Sequence, residues 1–186
     1  MQTIAFTQMK DGTREEYEFL GGLWHAHIKD HLADSVLGLL MAMRGPKLGY
    51  KIDRYQHSLQ TAARAQADGA DEETLVCALL HDIGDTIAPE NHSAVAAAIL
   101  RPYISEKNHW IVQHHGVFQG YYFFHHTGRD RDARERFRGH PHFQACADFC
   151  ERWDQNSFDP NYETPPLEAF EPAVRRLFAR TPREFA

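Results

Sequence analysis

The sequence predicts an all-α protein that folds as a single domain of 186 residues, and three observations support this prediction. Apolar residues recur at three- and four-residue steps, which is the spacing of one buried face of a helix. No segment convincingly alternates polar and apolar residues as a half-buried strand does. No repeat or low-complexity linker divides the chain. A hydrophobic content of 42% with 25% charged residues is typical of a globular protein with one sizeable core.

The first 30 residues are expected to form an N-terminal arm. Their periodicity is weak and Gly21-Gly22 interrupts it, so only one short helix is predicted here, at residues 14–20. The next helix is predicted at residues 31–44, where leucines, valine and methionine form a buried stripe. Gly45-Pro46 should end this helix.

Two aspartates are placed as helix caps in the following segment. Asp53 precedes a helix that should end at Gly69, and Asp71 precedes a second helix that is apolar nearly all round. A helix without a polar face belongs in the centre of a fold. This central helix ends in the pair His81-Asp82.

The second half of the chain is also predicted to be helical. An alanine-rich helix is predicted at residues 92–100, and Ser105 should cap another helix that ends at Gly116. The aromatic block at residues 118–124 could form either a helix or the wall of a pocket. Two further helices are predicted, at residues 141–154 and 167–180.

Charge and hydropathy exclude several classes of partner. The formal net charge of −6 argues against a broad nucleic-acid surface. No segment approaches the ~20 apolar residues that cross a bilayer, and the N-terminus lacks the charged start and apolar core of a secretion signal. We therefore expect a cytoplasmic protein that binds a small-molecule substrate and neither nucleic acid nor a membrane. The oligomeric state stays open.

Histidines and aspartates are concentrated where the predicted helices begin or end. A metal ion inside a helical bundle is held by side chains from several helices, because one helix presents only residues one turn apart to the same point. Asp82 could bridge two such ions through its two oxygens. Of the adjacent histidines His114 and His115, we predict that His115 is the ligand, because it shares with Ile111 the helix face that should point inward. The candidate ligands, all suited to hard or borderline metals, are His57, His81, Asp82, His92, His115 and Asp154.

A basic run follows the aromatic block, at residues 129–138, and it alternates in sign. Such a run is typical of a solvent-exposed helix with internal ion pairs. Alternatively, Arg136 or Arg138 could bind a phosphate or phosphonate group of the substrate through paired hydrogen bonds.

Short segments around the candidate ligands carry a family resemblance. A histidine, a distant histidine-aspartate pair and a late aspartate form the pattern of the HD-domain superfamily, and the chain resembles it over about residues 50–160. The superfamily contains metal-dependent phosphohydrolases and a smaller set of mixed-valent diiron oxygenases. The chain looks most like the oxygenases, among them 2-amino-1-hydroxyethylphosphonate dioxygenase and myo-inositol oxygenase. The segments that carry the likeness are Gln56-His57-Ser58-Leu59-Gln60, Ala78-Leu79-Leu80-His81-Asp82-Ile83-Gly84, Asn91-His92-Ser93 and Arg152-Trp153-Asp154.

The resemblance implies an HD-type helical bundle whose metal-binding core is residues 50–160. It also implies two iron ions, in a mixed-valent Fe(II)/Fe(III) state, with O2 as co-substrate. Asp82 would belong to both irons. The first iron would be held by His57, His81, Asp82 and Asp154, and the second by Asp82, His92 and His115.

The chain departs from these oxygenases at three positions near the site. Asp85 stands where they place a histidine or a lysine, and Gln119 stands where the phosphonate enzyme has a substrate-binding lysine. The iron-capping tyrosine aligns with Lys47, although Tyr50 lies one turn away and could substitute. We therefore expect Asp85 and Gln119 to contact substrate, and Tyr50 to act with Asp82 in catalysis.

The function expected from this resemblance is O2-dependent cleavage of a small hydroxylated substrate, such as a 1-hydroxyphosphonate at its C–P bond. The same donors also fit a metal-dependent phosphohydrolase that acts on a nucleotide or a phosphate ester. A third alternative is a ligand-sensing or structural module that binds metal without turnover.

Overall fold

The computed structural model describes residues 3–183, and all regular structure in this part of the chain is helical, which confirms the predicted fold class. Residues 1–2 and 184–186, at the two ends of the predicted domain, lie outside the described part. The longer helices are α1 (Arg14–Ala42), α2 (Arg54–Ala67), α3 (Glu72–Leu80), α4 (His92–Leu100), α5 (Glu106–Gln119), α6 (Phe143–Phe149) and α7 (Leu167–Phe178). Short 3₁₀ helices span Met9–Asp11, Pro89–Asn91, Gly120–Tyr122, Phe124–Thr127 and Ala133–Phe137, and a π-helical turn spans Cys150–Asp154.

The first helix is longer than the sequence predicts. In place of a short helix at residues 14–20, an irregular stretch and a second helix at 31–44, α1 is continuous. Each glycine of the pair Gly21-Gly22 costs about 1 kcal/mol relative to alanine, but neither blocks a backbone hydrogen bond as a proline would. The pair therefore weakens α1 without ending it. In the described part of the chain, neither α1 nor any other helix is both long and apolar enough to cross a membrane.

A capping box fixes the start of α1. The backbone N–H of Glu16 donates to the Thr13 hydroxyl at 3.3 Å, and the Glu16 carboxylate accepts from the backbone N–H of Thr13 at 3.0 Å. Two backbone donors of the first turn are thereby satisfied. A helix that starts at residue 14 then continues until Met43, because no proline intervenes.

The predicted starts of α2, α3 and α5 are confirmed. In each helix the capping side chain accepts a hydrogen bond from the backbone three residues later, which satisfies a donor that the helix itself cannot pair. The pairs are Asp53 with the Gln56 N–H (2.8 Å), Asp71 with the Thr74 N–H (2.7 Å) and Ser105 with the Asn108 N–H (3.3 Å).

The end of α5 differs from the prediction. The sequence predicts a stop at Gly116, but α5 runs to Gln119. A Cβ atom on Gly116 would lie 2.9 Å from Oγ of Ser93, so the absence of a side chain lets α5 approach α4 closely. The glycine therefore serves packing rather than helix termination.

In the remaining segments the observed helices differ less from the predicted ones. The basic run forms a 3₁₀ helix, and the helix after Pro141 divides into α6 and the π-helical turn that ends at Asp154. The last helix ends at Phe178, two residues before the predicted end. In the aromatic block, Phe118 and Phe124 are buried.

The hydrophobic core has two parts, and α3 contributes to both. The larger part joins α1, α2, α4 and α7 around Leu79 and Leu80, which are fully buried. The smaller part joins α5, α6 and the π-helical turn around Ala78 and Phe118. Polar side chains at the C-terminal end of α3 therefore lie between the two parts of the core and are buried.

Candidate metal centre

Six histidine and aspartate side chains meet at the C-terminal end of α3. They come from five places in the fold that are far apart in sequence. Five of them are almost completely buried, and His92 is half-buried. The structure thus brings together all the residues that the sequence singled out as metal ligands. They are His57 of α2, His81 and Asp82 after α3, His92 at the start of α4, His115 of α5 and Asp154 of the π-helical turn.

The first group of donors lies between α2, α3 and the π-helical turn. Nε2 of His57 lies 3.2 Å from Oδ1 of Asp154 and 3.2 Å from Nε2 of His81. Nε2 of His81 lies 3.7 Å from the same Asp154 oxygen. Oδ2 of Asp82 lies 3.5 Å from each of the two imidazole nitrogens. The donor atoms of His57, His81 and Asp154 lie close enough together to hold a metal ion, and so do those of His81, Asp82 and His115.

The second group of donors uses the other oxygen of Asp82. Oδ1 of Asp82 lies 3.1 Å from Nε2 of His115 and 3.4 Å from Nε2 of His92. The two imidazole nitrogens are 3.3 Å apart. Asp82 therefore directs one oxygen to each group, which is the arrangement of a carboxylate that bridges two metal ions.

The four imidazoles share one orientation. In each ring Nδ1 lies 2.8–3.0 Å from a backbone carbonyl oxygen, and a carbonyl can only accept, so Nδ1 carries a proton. When the ring is neutral, Nε2 then presents its lone pair to the cluster. Backbone contacts of this kind fix the tautomer of metal-ligating histidines. The carbonyls belong to Ser157 for His57, Ala78 for His81, Pro89 for His92 and Val112 for His115.

The electrostatics of the cluster favour a cation. Burial alone would lower the pKa of His81, but the charges of Asp82 and Asp154 raise it to about 9. Burial alone would raise the pKa of both carboxyl groups, but the surrounding histidines hold the pKa of each below its usual range. The carboxylates therefore remain ionised and attract positive charge into a site shielded from water.

One oxygen of Asp154 has bonding capacity that a cation could use. Among the described residues, Oδ2 of Asp154 is buried and has no hydrogen-bond partner. An unsatisfied buried polar atom costs about 1–3 kcal/mol, and more when it is charged. A metal ion that Asp154 binds through both oxygens, Oδ1 beside His57 and Oδ2, would remove this cost. Imidazole nitrogens and carboxylate oxygens are also a donor set that iron, manganese and zinc accept, so the residues present fit one or two such ions.

A cavity of about 310 Å³ opens onto both donor groups. Its walls include the aromatic rings of Tyr50, Tyr122, Phe123 and Phe158, together with Gln119 and Arg54. The ring of Phe158 stacks on His57 with centroids 4.4 Å apart, and Tyr50 stacks on Phe158 at 5.2 Å. The alternative that the aromatic block forms a pocket wall thus holds for Tyr122 and Phe123. Phe158 was not predicted from the sequence.

Gln119 lies at the junction of the cavity and the first donor group. Its side-chain nitrogen donates to Oδ1 of Asp154 at 2.9 Å, which orients the carboxylate. Its oxygen is buried and has no partner among the described residues. Gln119 therefore offers a free acceptor beside the cavity, in a position to receive a hydroxyl group.

Asp85 and Arg54 form the edge of the site nearest α2. Oδ2 of Asp85 lies 3.0 Å from Nε of Arg54, and Oδ1 lies 3.8 Å from Nδ1 of His92. Asp85 thus faces a cation and a histidine of the second group. Arg54 was not a candidate in the sequence analysis. The sequence feature that could have identified it is its position three residues before His57, which places both residues on one face of α2.

Three other residues lie away from the cavity. Arg138 pairs with Glu135, and its guanidinium group stacks on Phe143. Arg136 lines a neighbouring cavity of about 570 Å³ instead. His114 stacks on Trp110 with centroids 4.3 Å apart, whereas His115 points into the cluster. The preference for His115 over His114 therefore agrees with the geometry.

Comparison with protein families agrees with this arrangement. A sequence model described as the HD domain matches residues 54–154, which is more than half of the chain, so the chain belongs to the HD domain family. The matched segment begins at the start of α2 and ends at Asp154. A comparison with curated proteins found no match. The HD family is generally enzymatic and metal-dependent, and the buried histidine-aspartate cluster could hold the metal.

Proposed function

We propose that the protein is a dinuclear HD-domain oxygenase that cleaves a small hydroxylated substrate with O2, using two iron ions. The observation that carries the proposal is the position of Asp82, whose two oxygens face two separate groups of imidazole nitrogens. A carboxylate with one oxygen towards each donor group suits a pair of ions, whereas a single ion would leave one of these oxygens without a metal. The likeness of the segments around His57 and Asp154 to the diiron oxygenases supports iron and O2.

The two groups differ in their number of protein donors, and the smaller group suits an ion that also binds substrate. The first group offers four protein donors and the second group offers three, so the second ion would keep more positions for substrate and O2. Both His92 and His115 line the cavity. A pair of irons, when bound, supplies one-electron redox chemistry and activation of O2.

The protein's own contribution is positioning and the exclusion of water. Asp82 and the imidazoles whose Nδ1 atoms are fixed by the backbone hold the ligand geometry in place. The aromatic walls limit the access of water, which protects reactive intermediates from side reactions. Gln119 orients Asp154 and offers an acceptor to a substrate hydroxyl, and Tyr50 lines the cavity and stacks on Phe158.

A metal-dependent phosphohydrolase is the second candidate, and one observation favours it. Arg54 places a cation beside the bridging carboxylate, where it suits the phosphoryl group of a phosphate ester. Divalent ions in the same two donor groups would lower the pKa of a bound water and polarise that phosphoryl group. The family includes enzymes of this kind.

Metal analysis and turnover distinguish the two candidates. The chain purified with iron is expected to hold two irons, to give a mixed-valent electron paramagnetic resonance signal, and to consume O2 with a 1-hydroxyphosphonate. Asp82→Asn should abolish both the signal and the O2 uptake. Hydrolysis of phosphate esters with manganese, nickel or cobalt, together with no O2 uptake by the iron form, would instead establish the phosphohydrolase. A chain that binds no metal would contradict both.

A further inference from the structure

The four imidazoles of the metal centre are held in two different ways. In His81, His92 and His115, Nδ1 lies 2.8–3.0 Å from the carbonyl oxygen three residues earlier, so each ring is fixed by its own turn of the chain. In His57, Nδ1 lies 2.8 Å from the carbonyl oxygen of Ser157, which is 100 residues away in sequence. The orientation of His57 therefore depends on a tertiary contact that keeps Ser157 in place.

Gln60 makes such a contact. It follows His57 by three residues in α2, and its side chain is buried. Its Nε2 donates to the carbonyl oxygen of Asp159 at 2.6 Å, and its Oε1 accepts from the backbone N–H of the same residue at 3.3 Å. A side-chain amide offers both a donor and an acceptor, so it can pair with both backbone groups of one residue. The chain is thereby attached to α2 two residues after Ser157.

The segment that Gln60 holds also carries a metal ligand. The Ser157 hydroxyl donates to the carbonyl oxygen of Trp153 at 2.7 Å, and the Ser157 backbone N–H donates to the carbonyl oxygen of Asp154 at 3.0 Å. These bonds connect Ser157 to the π-helical turn. At the other end, Nε1 of Trp153 donates to Asp68 after α2 at 2.7 Å. The segment is therefore attached to α2 on both sides of Asp154.

We propose that Gln60 is a positioning residue of the metal centre. By holding Asp159, it keeps the Ser157 carbonyl on Nδ1 of His57, so that Nε2 of His57 faces Asp154 at 3.2 Å. Gln60 acts on the first donor group through the backbone alone. The inference rests on the metal centre and is independent of the reaction that the centre performs.

The test replaces the amide while keeping its bulk. Gln60→Met retains an unbranched side chain of similar length but neither hydrogen bond to Asp159. The matched control is Gln56→Met, the same change one turn earlier in α2. The Gln56 side chain is exposed and, among residues 3–183, forms no hydrogen bond. Helical circular dichroism of each variant verifies that it folds.

NMR of metal-free, histidine-labelled protein measures the contact directly. The Nδ1–H proton of His57 should exchange slowly with water in the wild type, because it is buried and bonded to Ser157. In Gln60→Met it should exchange at least about tenfold faster, because the acceptor is no longer held in place. The Nδ1–H proton of His81 is the internal control, since its acceptor lies within its own helix. Its exchange should not change in Gln60→Met.

Zinc affinity measures the consequence for metal binding. In the His115→Ala background the second donor group is incomplete, so a single ion is expected in the first group. Gln60→Met should weaken its binding by about 10–100-fold, which is the usual effect of losing a group that orients a metal ligand. Gln56→Met should leave this affinity unchanged. Competition with a chelator of known affinity provides the measurement.

A second variant covers the possibility that Gln60→Met does not fold. Gln60→Asn keeps the amide but is one methylene shorter, so it cannot reach both backbone groups of Asp159. It should also speed exchange at His57 and not at His81. Equal acceleration at both histidines, in either variant, would indicate general destabilisation and would contradict a positioning role.

The outcomes separate this inference from the proposed function. If Gln60→Met keeps slow exchange at His57 and the zinc affinity of its parent, the role of Gln60 is wrong while the metal centre stands. If both properties change as expected but the iron form consumes no O2, the oxygenase is wrong while the role of Gln60 stands. Fast exchange at His57 in the wild type would overturn the contact on which the inference depends.

Discussion

Gly84 and His92 are in direct backbone contact. A Cβ atom on Gly84 would lie 2.6 Å from the carbonyl oxygen of His92 and 2.8 Å from its Cα, which is closer than such atoms approach in proteins. The turn after Asp82 and the start of α4 can therefore meet only because residue 84 lacks a side chain. This contact helps to place Nε2 of His92 next to the bridging carboxylate.

Gly84→Ala is therefore expected to displace His92. The change should lower the free energy of unfolding by at least about 2 kcal/mol and weaken binding of the second metal ion, because the atoms it meets are backbone that cannot rotate away. Metal content and chemical denaturation measure the two effects. Gly38→Ala in α1 is the control, since outside the nearby backbone of α1 no atom lies within 4 Å of its added Cβ. That variant should gain about 0.5–1 kcal/mol. Full retention of both metals in Gly84→Ala would contradict the prediction.

The neighbouring histidines His114 and His115 are expected to differ completely in metal binding. His115→Ala removes a donor from the second group, whereas the first group keeps its four donors. Metal content should therefore fall from two ions per chain towards one. His114→Ala should leave two ions bound, because His114 packs against Trp110 and Phe137 instead. The opposite pattern would show that α5 is rotated so that His114, and not His115, faces Asp82.

Local signals explain why much of the fold was predictable. Asp53, Asp71 and Ser105 each act within four residues of the helix that they start, so their effect is visible in the sequence alone. Glycines are different, because their meaning depends on what lies nearby. Gly116 looks like a helix stop but allows close packing, and Gly21-Gly22 looks like a break but lies inside α1.

The same contrast between local signals and tertiary contacts applies to the candidate site. The convergence of His57, His81 and Asp154 was predictable because the residue types and the family pattern restrict their role. Arg54 was not, because the direction of a long side chain depends on its tertiary partners. Only the structure shows that Asp85 and the ring of Tyr50 hold the guanidinium group at the cavity.

Replacing the glycine pair tests the continuity of α1. Gly21→Ala and Gly22→Ala should each stabilise the protein by about 0.5–1 kcal/mol, because alanine favours a helix and, outside the nearby backbone of α1, no atom lies within 4 Å of either added Cβ. Helical circular dichroism should not decrease. Gly128→Ala is the opposing control, since its φ of 71° is strained for alanine and should cost stability. Destabilisation by the Gly21 and Gly22 variants would indicate that the helix breaks there.

The metal-free protein is expected to lose stability as the pH rises from about 6.5 to 9. His81 has its pKa raised from 6.5 to about 9 by Asp82 and Asp154, so its contribution to stability is fully present below pH 6.5 and is lost as the pH passes 9. The two carboxyl groups have lowered pKa values, so their contribution is lost only in acid. The loss at high pH should be on the order of a few kcal/mol.

Bound metal should remove this dependence. A metal ion takes the place of the proton on His81, and its binding strengthens as the imidazoles lose protons. Urea denaturation at pH 6, 7, 8 and 9 of chelator-treated and zinc-loaded protein measures the difference. The gap between the two forms should widen with pH, and His114→Gln should change neither curve greatly. Parallel curves for the two forms would mean that His81 does not exchange a proton for a metal ion, and the first donor group would then lose its assigned role.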